Sequence, residues 1–271
     1  MSLLLCRQEP VKCPYYVEAL DLHLYSSQEL CYVIYHHPFL VMEDFVDEGL
    51  LEFIRDELNM GFLAGKLEKW KASGENPDEM LFSILSECFY YGPAEVNQYR
   101  QQVAALRKKH PAEYKKERAD YLFGIRQYGR AVEIYEGLTE SPKDQVVDDA
   151  FLGRVWNNLG AAYARLFQTA KAYHAFEKAY GYLGEEAMVK RMYFLTRFNP
   201  QLEQLEGPLS AVKEETRKAW EREADAAQEK AAQSREILKL EQLFGQEEEK
   251  RDAGAAELVT RWKQEYRSSV F

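Results

Sequence analysis

The chain is short of most features that mark enzymes, membrane proteins and secreted scaffolds. No apolar run in its 271 residues approaches the ~18 that a membrane span needs. Residues 1–6 are apolar, but Arg7, Gln8 and Glu9 follow at once, so no secretory signal core of sufficient length is read. Cysteine is sparse: Cys6, Cys13, Cys31 and Cys88 lack metal-type spacing and read as reduced thiols of a cytoplasmic protein. There is no glycine-rich phosphate loop, nucleophile elbow, paired zinc motif or His-Glu-x-x-His run. An excess of basic charge is missing too. With 35 Lys and Arg against 45 Asp and Glu, the net charge of −10 argues against a nucleic-acid partner, since phosphate binding needs a basic surface. The expectation is a protein with no enzymatic activity, no cofactor and no membrane association. His36-His37 beside Cys31 is the one cluster resembling metal ligands, and adjacent histidines on a helix face different ways. They read instead as imidazoles near the last carbonyls of a helix.

What is present is a series of amphipathic helices, which makes the fold class all-α. A chain with 46% hydrophobic residues has enough apolar surface for a proper core. Residues 1–91 read as a mostly helical N-terminal domain. Leu20, Leu22 and Leu24 alternate with polar residues and suggest a short strand, with residues 3–5 as its partner in a hairpin over 3–24. Ser26-Ser27-Gln28-Glu29 is a capping box that opens a helix carrying Leu30, Val33 and Ile34 and ending before Pro38. A second helix is expected over residues 44–58 and a third over 61–71, with Phe62, Leu63, Leu67 and Trp70 on its buried side. Asp78 is expected to cap a fourth, with Leu81, Phe82, Leu85 and Cys88 inward. Three short helices raise the question of a helix-turn-helix. In the first 75 residues, however, acidic side chains outnumber basic ones roughly two to one, the wrong sign for DNA. Gly92-Pro93 marks the boundary of this domain. The next helix, over residues 94–109, buries Val96, Tyr99, Val103 and Leu106.

Residues 153–186 carry the densest pattern. Trp156, Leu159, Gly160 and Tyr163 fall on one helical face, and Ala172, Phe176 and Ala179 fall on a second, with Leu166-Phe167-Gln168 as a tight turn between them. Small residues stand where two antiparallel helices must approach, and aromatic residues fill the space beside them. The run W-x-x-L-G-x-x-Y followed by A-x-x-x-F-x-x-A resembles the tetratricopeptide repeat, whose period is about 34 residues. Gly184 stands where that family usually has proline. Residues 112–142 resemble a degenerate earlier copy: Ala119 and Leu122 answer Gly160 and Tyr163, and Ala131, Tyr135 and Leu138 answer Ala172, Phe176 and Ala179. The longer offset between the copies places an insertion at residues 143–149 and starts the first helix of the second copy near Asp148. A further helix over 185–198 has Met188, Met192, Leu195 and Phe198 on one face and reads as an atypical terminal repeat. The repeat region therefore covers 94–200. Residues 208–271 read as one long helix with Pro208 in its first turn, followed by a short helix over 252–266.

The resemblance implies a right-handed superhelix that binds a peptide or protein segment on a concave face lined by the first helix of each pair. Carried over by the motif, Asn158 matches the asparagine that family clamps use on a ligand backbone. Arg154, Asn157 and Arg165 on the same helix, Lys116 and Asp120 from the earlier copy, and Arg191 from the next helix should face that groove, with Lys190 or Arg197 as further cations. The alternative role for Asn158 is packing between repeats. The cations point to a ligand that is acidic or ends in a free carboxylate. The function read from the chain is a protein-binding adaptor or assembly factor. Two alternatives stand beside it: a module whose acidic C-terminal helix occupies the groove, and an enzyme or nucleic-acid binder with its site in the N-terminal domain.

Overall fold

The computed structural model describes residues 11–204 and 207–270. Among these the architecture is helical, apart from one two-stranded ribbon. The chain divides into two compact units, Met1–Tyr114 and Lys115–Phe271.

The first unit opens on the ribbon. Strand β1 (Tyr15–Val17) pairs antiparallel with β2 (Leu22–Leu24), Tyr15 opposite Leu24. The strand expected near residues 20–24 is therefore present, but its partner is Tyr15–Val17. Residues 3–5 lie outside the described residues. Asp21 closes the turn with φ of 48°, a left-handed conformation that aspartate tolerates better than most. Val17 and Leu24 are buried in the helical core, which gives so small a ribbon the packing it needs.

Helix α1 (Ser27–His36) starts as its sequence requires. Ser26 Oγ accepts from the Glu29 N–H at 3.2 Å, while the Glu29 carboxylate reaches one residue further back and accepts from the Tyr25 N–H at 2.5 Å. Pro38 then begins the short α2 (Pro38–Val41). The helix expected from residue 44 starts later, because Asp47, not Asp44, holds the Leu50 N–H at 2.7 Å. It forms α3 (Glu48–Glu52) and widens into a π turn over Phe53–Glu57. Helix α4 (Gly61–Ser73) buries Leu63, Ala64 and Leu67. Phe62, expected inside, is 84% exposed, because one residue's rotation carries it off the face that those three share.

Asp78 corrects a second expectation. The cap of α5 (Asp78–Glu87) is Pro77, and Asn76 Oδ1 accepts the Asp78 N–H at 3.0 Å. The Asp78 side chain turns inward, where it is nearly fully buried and accepts from Arg107 twice, at 2.8 and 3.1 Å. The same guanidinium donates to the Met42 carbonyl at 2.5 Å. Arg107 ends α6 (Pro93–Arg107), whose Val96, Tyr99, Val103 and Leu106 all enter the core of this first unit. Those four residues are buried as expected, but their helix belongs with the residues before Gly92-Pro93. Apolar packing and the Asp78 pair tie it there.

The second unit is built from helix pairs. Helix α7 (Pro111–Gly124), within which the division between units falls, is followed by α8 (Tyr128–Thr139), α9 (Asp149–Arg165), α10 (Thr169–Leu183) and α11 (Glu186–Phe198). Asp148 caps α9, accepting from the Phe151 N–H at 2.6 Å, so the helix begins where the insertion argument places it. The two hairpins are one motif at a constant offset of 41 residues. Arg126 and Phe167 take left-handed φ of 67° and 57°, and the following Gln127 and Gln168 donate back to Leu122 and Tyr163, each at 2.9 Å. Ala119, Ala131, Ala172 and Ala179 are fully buried. An added Cβ on Gly160 would lie 2.8 Å from ring carbons of Phe176, and one on Gly153 would lie 2.5 Å from Leu183. Both glycines therefore set how closely α9 and α10 approach.

The C-terminal segment is not one long helix. A 3-10 turn (Pro208–Ala211) leads into α12 (Glu214–Ala232), α13 (Arg235–Phe244) and α14 (Glu248–Val270). Ser234 restarts the chain as the cap of α13, accepting from the Ile237 N–H at 3.4 Å, and Gly245 follows its last turn. Gly254 then lets α14 fold back against Leu243. Trp220 is the buried residue of α12 and packs on Tyr193 of α11 at 5.6 Å between ring centres. Phe198, expected on the buried face of α11, is 74% exposed at that helix's last residue. No described helix is long and apolar enough to cross a membrane.

Two stability tests follow from this packing. Arg107→Met should cost about 2 kcal/mol or more in urea unfolding, because it leaves the buried Asp78 carboxylate without its partner. Adding Asp78→Leu should recover part of that loss, and a neutral single variant would contradict the pairing. Gly160→Leu should cost about 2 kcal/mol or more by overpacking against Phe176. An unchanged melting temperature would contradict the close approach of α9 and α10.

Candidate functional site

Five of the seven residues singled out from the sequence meet in one hydrogen-bonded ladder within the second unit. At its centre is Asp120 on α7. It accepts from Lys116 one turn earlier at 2.7 Å, from the Tyr135 hydroxyl at 2.5 Å and from Asn158 Nδ2 at 2.8 Å. The Asn158 carbonyl oxygen accepts from Asn157 at 3.0 Å, and the Asn157 oxygen accepts from Arg191 of α11. The Arg191 guanidinium also lies 5.7 Å from the Phe176 ring centre. The ladder thus runs across α7, α9 and α11, alternate helices of the second unit.

Helical spacing explains why α9 presents its share. Val155, Leu159 and Tyr163 occupy its buried side, whereas Arg154, Asn157, Asn158 and Arg165 lie on the opposite face. Arg154 and Arg165 are exposed there, and no hydrogen bond or ion pair joins either to the ladder. Lys190 and Arg197 of α11 turn elsewhere, to Glu223 of α12 at 2.6 Å and Asp225 at 3.0 Å.

Tyr135 is the member that sequence reasoning read only as packing. It sits where the second hairpin has Phe176, and its hydroxyl was the available signal. It is 1% exposed. Burial, then its bond to the Asp120 carboxylate, pushes the phenol above its ordinary range, so it stays a donor at any physiological pH. A second tyrosine–carboxylate contact, Tyr163 with Glu136, joins α9 to α8, and burial raises that phenol too. With three donors on Asp120, most of its acceptor capacity is used inside the fold. Both ends of the Asn158 amide are likewise engaged, its Nδ2 by Asp120 of α7 and its oxygen by Asn157 of its own helix. Arg154 and Arg165 face solvent beside the ladder, and Arg191, its last member, is exposed as well.

An apolar trough of about 810 Å³ lies between α11 and α12, lined by Phe194, Phe198, Ala224, Ala227 and Ala231. Among the described residues, no group of three or more His, Cys, Asp or Glu is placed to hold a metal ion. Cys31 is fully buried, and burial lowers the proton affinity of both His36 and His37, with their mutual repulsion adding at His37. His36 is the last residue of α1 and His37 its C-cap, where the sequence placed them, and the His36 ring packs tilted against Tyr32 at 4.2 Å between ring centres. Hydrogen bonding and ion pairing are what the ladder's surface offers a ligand. Among protein-family models, curated proteins and solved structures, nothing matches this chain.

Proposed function

We propose that the second unit is a short superhelix of tetratricopeptide-like pairs and that the protein is a non-enzymatic adaptor or assembly factor. Its ligand is a peptide or protein segment that is acidic or ends in a free carboxylate. One observation carries this reading: the polar ladder crosses three first helices in succession, with unpaired arginines on the same helix face. The ladder would hold those helices in register, and Arg154, Arg165 and Arg191 would supply bidentate donors for carboxylates. Asn158 is then a spacer between pairs more than a ligand clamp, since its amide is already bonded on both sides.

A second reading has its own support. Glu223 and Asp225 of α12 already neutralise Lys190 and Arg197 of α11, as an internal acidic ligand would. In that reading the C-terminal helix is a regulator that a partner displaces.

A library of acidic peptides, each with a free or an amidated C-terminus, tests both by fluorescence anisotropy. Arg154→Glu with Arg165→Glu should weaken capture of the free-carboxylate peptides at least about tenfold while the circular dichroism stays unchanged. Glu223→Gln with Asp225→Asn should leave affinity unchanged for an open adaptor and raise it for a regulated one. If no peptide binds, or the arginine variants bind equally well, this surface is not the ligand site.

A further inference from the structure

The far end of α14 is seated on the first hairpin of the second unit. The Gln127 side chain, 6% exposed, donates from Nε2 to the Ser268 carbonyl at 2.9 Å. Two residues on, an added Cβ at Gly129 would overlap the Val270 carbonyl oxygen and stand 2.8 Å from the Val270 Cα. Gly129 does not take a left-handed φ, so the turn itself makes no demand for glycine. Its bare backbone is explained by the segment that lies on it. Ser268 and Ser269 turn their hydroxyls back to the Glu265 and Tyr266 carbonyls of their own helix. The seat therefore reads backbone, with one carbonyl bonded and one peptide unit in close contact.

The second hairpin supplies a comparison within the same chain. At the constant offset of 41 residues it repeats the glutamine as Gln168 but has Ala170 in place of Gly129. Gln127 and Gln168 have nearly the same backbone, with φ and ψ of −80° and 62° against −82° and 64°. Ala170 is exposed, and Gln168 Oε1 is buried without a hydrogen-bond partner. Two turns of one geometry thus differ at the glycine, and the turn that has it is the one that carries a helix end.

Little else joins α13 and α14 to the helix pairs. Neither helix has a buried residue. The ion pairs of α14 are local, Arg251 with Glu248 and Asp252, and Arg261 with Glu265. Among the described residues, Gln127 to Ser268 is the one hydrogen bond or ion pair that links either helix to α7–α11. Leu243 against Gly254 holds α13 and α14 to each other, and the break at Gln233 and Ser234 separates them from α12. We propose that Gln127 and Gly129 form an uncharged receptor site for the end of a helix with small residues in its last turn, and that α13 and α14 open and close on it together as a strap hinged at Gln233 and Ser234. Closed, the strap joins α12 to α8; open, it frees the start of α8. The proposal draws on neither the peptide-binding reading nor its arginines.

Single-molecule energy transfer in the full chain tests it, with dyes on non-natural residues replacing the exposed Glu133 of α8 and Gln264 of α14. The expected result is a short distance in the majority of molecules, exchanging with a longer one. Gly129→Ala copies the second hairpin, so the melting temperature should not fall. Its overlap with Val270 should nevertheless lower the ratio of closed to open at least about tenfold. Gln127→Ala should lower the ratio about fivefold, as loss of one hydrogen bond. Since no charge takes part, the ratio should be the same in about 50 and about 500 mM salt. Salt independence separates this clasp from release of the Lys190–Glu223 and Arg197–Asp225 pairs. A closed fraction that Gly129→Ala leaves unchanged, a wild type without the short distance, or a ratio that falls as salt rises overturns the proposal.

Discussion

Backbone-to-ring contact between α9 and α10 is the constraint on which the second unit depends. Where Gly160 meets the Phe176 ring and Gly153 meets the Leu183 side chain, α9 contributes no side chain of its own to the crossing. That approach fixes the rotation of α9, and the rotation decides which of its residues face inward. Leu159 and Tyr163 then close the core, and Asn157 and Asn158 reach Asp120 on one side and Arg191 on the other. A larger residue at either glycine would push α9 outward and shift both amides from carboxylate and guanidinium. Packing and polar register are therefore one property of this pair, not two.

Polar burial works differently in the first unit. Asp78 and Arg107 join the start of α5 to the end of α6, and the Met42 carbonyl shares the same guanidinium. Such a pair contributes little net stability over an apolar pair of similar shape, but it penalises any arrangement that leaves the carboxylate alone. Its consequence is specificity of placement, with α6 held to the core that Tyr99 and Val103 enter.

Much of the hairpin architecture was legible because it rests on local rules. Turn length, small residues at crossings and the Asp148 cap each act within a few residues, and α9 begins and turns where those signals stand. The misplaced features depend on distant partners. Asp78 carries every local mark of a helix cap, and only Arg107, 29 positions on, reveals that its carboxylate goes inward. The helix after Gly92-Pro93 has an apolar face that would suit either neighbour. Propensity alone could not break the Glu- and Ala-rich C-terminal segment, since the interruption at Ser234 is one capping bond and that at Gly245 serves a return onto Leu243. At the candidate site, the resemblance to the tetratricopeptide repeat pointed to Asn157 and Asn158 of α9 and to Lys116, Asp120 and Arg191 on the flanking helices. It missed Tyr135 because a tyrosine in a packing position looks like any other ring until its hydroxyl has a carboxylate within reach.

The central claim is that the ladder couples the first helix pair to the second, and a double-mutant cycle on Asp120 and Asn158 tests it most directly. Asp120→Ala, Asn158→Ala and the double variant would be unfolded in urea and compared with the parent chain. The account predicts a coupling energy of about 1–2 kcal/mol, because each residue's contribution depends on the other. Additivity within about 0.3 kcal/mol would contradict it and would mean that the two side chains act separately.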